Sequence, residues 1–169
     1  YKNNELNNDL YIKAISPGTG VELGVSDGTA EGTYVIDLTP GPVGTNLEIM
    51  GRVGEWMYFE VKSSDHLDTG IWRTQGTLET SEYVNDEEYG YRKSLIAGVG
   101  LGRSVYCGGH RSTLWKIDSV DNTFGKFDLG FDKHRCNGAI RKIHTGDILL
   151  GLSADNKGPE LWKLDTDLE

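Results

Sequence analysis

Short runs of alternating polarity recur along the chain. Asp9-Leu10-Tyr11-Ile12-Lys13-Ala14, Trp56-Met57-Tyr58-Phe59-Glu60-Val61, Ser104-Val105-Tyr106-Cys107 and Asp147-Ile148-Leu149-Leu150-Gly151-Leu152 are the clearest. Successive side chains of a strand point to opposite faces, so a period of two predicts strands. No stretch holds a 3.6-residue period between capping residues, so helix is expected to be nearly absent. Each run is followed by a second apolar segment. These are Glu22–Thr29, Gly70–Thr77, Thr113–Asp118 and Glu160–Asp165, three of them carrying a tryptophan, at Trp72, Trp115 and Trp162. With Gly24 set against the tryptophans, the spacings are 48, 43 and 47 residues. Recurrence at roughly 40 to 50 residues with several strands per unit predicts propeller blades.

Further runs fill out each unit. Asn46–Met50, Ser94–Val99 and Gly138–Ile143 precede three of the alternating runs, and their small residues suit an inner strand where backbones crowd. Thr33–Asp37, Ser81–Val84 and Phe124–Asp128 follow three of the tryptophan segments as outer strands. The expectation is an all-β, propeller-type array of about four blades of four antiparallel strands. The first blade lacks an innermost strand and the last an outermost one, leaving about 14 strands. Approximate units are 1–43, 44–93, 94–136 and 137–169 of a single repeat domain. Either one terminal segment completes the other terminal blade, or the chain is a fragment of a longer array with open strand edges.

The segment Glu22-Leu23-Gly24-Val25-Ser26-Asp27-Gly28-Thr29, continued by Gly32-Thr33, resembles the ELWxxDGT repeat family, with Gly24 where the motif has Trp. Glu160-Leu161-Trp162-Lys163-Leu164-Asp165 matches the first half, then departs with Thr166-Asp167. The second copy keeps Trp72, Gly76 and Thr77 but has Gln75 for Asp, and the third keeps Leu114, Trp115 and Asp118. The resemblance implies a β-propeller-like repeat protein of the kind found in large secreted or surface-attached chains, with no catalytic residue in the motif. Leu23, Asp27, Gly28, Thr29, Trp72, Gly76, Thr77, Trp115, Asp118, Trp162 and Asp165 then have structural roles. Asp-Gly supplies a turn with positive φ, Thr bonds the local backbone, and Trp packs between neighbouring blades.

Charge narrows the partners. A formal net charge of −9 and a pI near 4.9 disfavour nucleic acid and anionic membrane surfaces. No apolar run of about 18 residues is present to span a bilayer. The 23 glycines and 4 prolines, without a three-residue period, fit many tight turns. The opening Tyr1-Lys2-Asn3-Asn4 reads as the start of a processed or excised piece, so further repeats of the same or a related chain are expected partners. No Asn-x-Ser/Thr sequon occurs.

Candidate chemistry is sparse. Cys107 and Cys136 are either a disulfide or two buried thiols. With His110 and His134 they make a CxxH…HxC set, which is not a standard zinc spacing, and no metal is assigned. The acidic clusters Asp65–Asp68 and Asn85–Glu88 read as solvated loops and lack the calcium-loop pattern, leaving calcium unsupported and no cofactor expected. There is no GxSxG elbow, and Gly98–Gly102 precedes a strand where a phosphate cradle needs a helix. Tyr89, Tyr91, Arg92 and His144 are the candidate ligand contacts, the tyrosines as stacking platforms for a sugar. Inner-run groups suited to catalysis are few: Glu48, Arg52, Arg103, Arg141 and His144. The expected function is a non-catalytic extracellular or cell-surface scaffold or adhesion module that binds carbohydrate. The alternatives are a propeller hydrolase or lyase with a channel site and a strand-adding assembly subunit.

Overall fold

The computed structural model describes residues 4–63, 67, 69–84, 95–101, 104–109, 114–118, 120, 124–127, 134–142, 147–154 and 158–164. They form fifteen strands in four antiparallel sheets, and no helix occurs among them. The first sheet contains β1 (Glu5–Leu6), β2 (Asp9–Ser16), β3 (Gly20–Ser26) and β4 (Thr33–Ile36). The second contains β5 (Asn46–Val53), β6 (Trp56–Ser63), β7 (Gly70–Thr74) and β8 (Glu82–Tyr83). The third contains β9 (Leu95–Leu101), β10 (Ser104–Gly109), β11 (Leu114–Asp118) and β12 (Phe124–Phe127). The fourth contains β13 (His134–Lys142), β14 (Ile148–Ala154) and β15 (Glu160–Leu164). In every sheet, chain neighbours are sheet neighbours. The chain divides into two compact units, Lys2–Tyr91 with the first two sheets and Arg92–Glu169 with the other two.

The first sheet departs from expectation. It has an additional edge strand, β1, ahead of β2, and is four-stranded. Leu6 pairs with Asp9, leaving Asn7 and Asn8 as a two-residue hairpin loop at φ 54° and 70°. Positive φ at both central residues is the turn that matches strand twist, and Asn tolerates it better than most residues. The N-terminal segment therefore completes its own sheet. The last sheet has three strands among the described residues, as expected. The expected unit boundary near 136 falls inside β13, whose register shifts between Cys136 and Ile140.

A sheet of three or four strands cannot bury both of its faces by itself. Within the Lys2–Tyr91 unit the first two sheets share one core. Leu6, Tyr11, Leu23, Val25 and Ile36 from the first sheet form a single buried cluster with Leu47, Ile49, Met57, Phe59 and Val61 from the second. Tyr11 lies opposite Val25, and Leu23 opposite Ile36, so these four share one face. Phe59 lies opposite both Ile49 and Trp72, which fixes the facing side of the second sheet. Trp72 packs against the cluster, partly buried.

The segment between β4 and β5 returns to the first sheet. Gly44 bridges Val21 in parallel, and the Thr45 amide donates to the Val21 carbonyl at 2.6 Å. Gly44 has φ +69°, and a side chain there would collide with the Val21 backbone, so only glycine allows the approach.

Phe59 is fully buried in the shared core. Phe59→Ala is expected to lower unfolding free energy by about 3–5 kcal/mol, read as a shift in urea midpoint with an unchanged slope. A shift no larger than that of an exposed-site control would show that the sheets do not depend on this core.

Candidate functional site

The motif loop between β3 and β4 has six residues, Asp27 to Gly32, closed by the Ser26–Thr33 pair. Its polar side chains turn onto its own backbone. Asp27 Oδ1 accepts from the Thr29 amide at 2.8 Å and from the Thr29 hydroxyl at 2.7 Å. The Thr29 hydroxyl oxygen accepts from the Gly32 amide at 2.9 Å, and the Ser26 hydroxyl oxygen from the Gly28 amide at 3.1 Å. The Ser26 and Thr33 hydroxyls lie 2.7 Å apart across the base. The Thr29 amide, followed by the Thr29 hydroxyl, holds the Asp27 carboxyl below the usual carboxylate range. Gly28 takes φ +92°, and a side chain at Gly32 would collide with the Asp27 carboxylate.

The loop between β7 and β8 builds the same shape from different residues. The Thr74 hydroxyl oxygen accepts from the Gly76 amide at 3.1 Å, as Ser26 does from Gly28. Ser81 donates to the Thr77 carbonyl at 2.7 Å, as Thr33 does to Thr29. The Ser81 and Thr74 hydroxyls lie 2.9 Å apart, matching Ser26 and Thr33. Gln75 stands where Asp27 does and Thr80 where Gly32 does. Thr80 Oγ1 accepts from the Thr77 amide at 3.1 Å and lies 3.1 Å from the Thr77 hydroxyl. The hydroxyl thus replaces the missing carboxylate, in the space that Asp27 fills in the first loop.

The second loop also ties the two sheets together. Tyr34 donates to the Gly76 carbonyl at 2.9 Å. The buried Tyr11 hydroxyl lies 2.9 Å from where a Gly76 side chain would start, so the glycine makes room for it. Burial, with Tyr34 and Asp9 nearby, pushes the Tyr11 phenol up to about 12.

Glu22 is the buried charge of the first sheet, with no solvent exposure. Its carboxyl accepts from the Leu38 amide at 3.2 Å, the Thr39 amide at 3.3 Å, the Thr39 hydroxyl at 2.6 Å and the Thr45 hydroxyl at 3.2 Å. The two threonine hydroxyls lie 2.8 Å apart. These groups hold the segment that returns from β4 against β3. Burial raises the Glu22 pKa, and the four donors oppose that rise. A hydroxyl can donate or accept, so the threonines can serve either protonation state.

On the second sheet, Arg73 is buried beside Glu82, its cross-strand partner, and donates through Nε to Glu82 Oε1 at 2.7 Å. Its guanidinium lies 4.0 Å from the Trp56 ring centroid, a cation–π stack. Trp72 meets Tyr83 edge-on at 5.7 Å. Lys13 and Glu48 pair at 3.7 Å, and the Arg52 Nε donates to the Gly54 carbonyl at 2.8 Å.

Several expected residues lie outside the described residues: Tyr89, Tyr91, Arg92, His144, Asp165, His110, Arg103, Asp65 to His66, Asp68 and Asn85 to Glu88. Cys107 lies in β10 and Cys136 in β13. Trp115 and Asp118 lie in β11, and Trp162 in β15 is partly buried. Among the described residues, no three His, Cys, Asp or Glu side chains converge as a metal site. The same residues hold no helix long and apolar enough to cross a membrane. The Glu22–Thr39–Thr45 cluster and the Arg73–Glu82 pair are the polar centres that the sequence reading missed. No protein-family model and no curated protein matches the chain.

Two predictions follow from this geometry. Asp27→Gln and Gly32→Thr should each lower the melting temperature, and the double variant should lower it by clearly less than the two single losses combined. Additive losses in thermal or urea unfolding would break the equivalence of the two loops. For Glu22, the folded pKa exceeds the unfolded one. The protonated form therefore adds stability below the ordinary glutamate range, and that gain is lost as pH rises through the raised value. Glu22→Gln cannot titrate, so the stability difference between wild type and E22Q should fall as pH rises through that window. A flat difference would mean the carboxyl titrates normally.

Proposed function

We propose that the chain is a non-catalytic scaffold or adhesion module of propeller type, working outside the cell or on its surface. Its sheets act as repeated blades, and its loops make the contacts. One observation carries this reading: the motif loop is built twice, once on Asp27 with Gly32 and once on Gln75 with Thr80, with matching bonds. What the two loops share is the shape of the backbone. A carboxylate is present in only one of them, which is the mark of a structural part and unlike a ligand or a catalytic acid. The other polar centres, Glu22 and Arg73 with Glu82, likewise hold chain to chain. Binding of carbohydrate then falls to the aromatic residues Tyr89 and Tyr91, with Arg92 next in sequence, stacking on a sugar face.

The test is a panel of immobilised glycans, scored for both retention of the protein and release of cleaved product. Retention of at least one glycan without cleavage is expected, reduced about tenfold or more in the Tyr89→Ala, Tyr91→Ala double variant with its melting temperature kept. Cleavage would overturn the non-catalytic reading. Retention of none would remove carbohydrate as the ligand.

A further inference from the structure

The pair of residues that turns the first motif loop is chemically labile. The amide nitrogen that follows an aspartate can attack the carboxyl carbon of that aspartate. A C–N bond forms, the nitrogen gives up its proton, and one carboxyl oxygen leaves as water, which closes a five-membered succinimide. Water then opens either carbonyl. One opening restores aspartate, and the other gives isoaspartate, with the main chain routed through the side-chain carbons. No oxidant and no partner are needed. Glycine in second place speeds closure, because it sets no side chain beside the attacking nitrogen. Asp27-Gly28 is the one Asp-Gly pair of the sequence.

Packing does not protect this pair. Asp27, Gly28 and Thr29 are all exposed, and a Cβ on Gly28 would meet nothing within 4 Å. The space that a ring needs is free, and water reaches it. Hydrogen bonds are left as the protection. Attack needs a nitrogen free to lose its proton, and the Gly28 amide donates to the Ser26 hydroxyl oxygen at 3.1 Å. Departure of water needs a protonated carboxyl, and Asp27 Oδ1 accepts from the Thr29 amide at 2.8 Å and the Thr29 hydroxyl at 2.7 Å. Both of those bonds favour the ionised carboxylate, the form that does not cyclise. The second motif loop lacks the hazard. Gln75 precedes Gly76 there, and its longer side chain closes only the slower six-membered ring. Gly76 is itself buried, its amide donating to the Thr74 hydroxyl at 3.1 Å.

We propose that Asp27-Gly28 is a site of succinimide and isoaspartate formation in this chain, and that the Ser26 and Thr29 bonds set its rate. Isoaspartate lengthens the main chain by one methylene and hangs the carboxylate directly on Cα. The bonds to Thr29 are then lost, so the modified loop cannot return to its original shape.

The test is incubation of the 169-residue chain at neutral pH, folded and in guanidinium chloride, with the peptide that carries Asp27 followed by chromatography and mass. Loss of one water marks the succinimide, and a shifted peak of unchanged mass marks isoaspartate. Closure proceeds from loops whose bonds are open, so the folded chain should react more than about tenfold more slowly than the unfolded one. Ser26→Ala and Thr29→Val should each speed the folded chain by about threefold or more, at a temperature below the melting point of every variant. A folded rate equal to the unfolded rate overturns the proposal, as does a rate that neither variant raises. Phe59→Ala loosens the core with both bonds in place, and an equal acceleration by that variant would assign the protection to the fold as a whole and overturn the role of Ser26 and Thr29. An unfolded chain that gives no Asp27 product would remove the site itself. These outcomes are independent of glycan retention.

Discussion

Burial of one sheet against the next is the constraint behind everything else in this protein. Each sheet is a simple meander whose neighbouring strands pair backbone to backbone, with two faces that need cover. Tyr11, Leu23, Val25 and Ile36 on one side, and Met57, Phe59 and Val61 on the other, give the first two sheets that cover. At roughly 25 cal/mol for each Å² of apolar surface removed from water, this is the largest favourable contribution available to so small a sheet. Polar contacts then set how the sheets are joined. Glu22 ties the returning segment down, Gly44 lets it run against β3, and Tyr34 fastens the second motif loop to the first sheet. These ties fix a position for surfaces that would otherwise slide.

Polar groups at this scale act through what they would cost if left alone. Glu22 is fully buried with four donors around it, and removing any donor would leave part of a carboxyl unsatisfied in a dry site. The same holds for Arg73, whose charge is compensated by Glu82 and covered by the Trp56 ring. Asp27 is different: it is exposed, and its bonds to Thr29 order a loop whose conformational freedom would otherwise oppose the hairpin. The buried ties hold strand to strand, or strand to returning segment, within one sheet, and the exposed ones give the loops a shape.

Much of the strand layout was legible because alternation marks strands directly. The run expected at 9–14 became β2 (Asp9–Ser16), and that at 33–37 became β4 (Thr33–Ile36). β1 was not legible, since two residues carry no period. Its only trace is the Asn7-Asn8 pair, a residue type suited to positive φ. The bonds of Thr29 to its own loop could be expected from Asp-Gly-Thr. The role of Thr80 could not, because it appears only once Gln75 and Thr80 are seen to share one space. Glu22 stood inside the motif, yet its partners Thr39 and Thr45 lie 17 and 23 residues away and meet it only through the fold. Polar clusters assembled from distant segments leave no local pattern to read.

The paired exchange at Asp27 with Gly32 and Gln75 with Thr80 ties two positions of each loop to one another. A loop with the aspartate has no room for a side chain five residues on, and in the other loop a threonine hydroxyl already fills that space. Neither position can be changed or grafted without its partner: moving one alone carries a clash or an empty space with it.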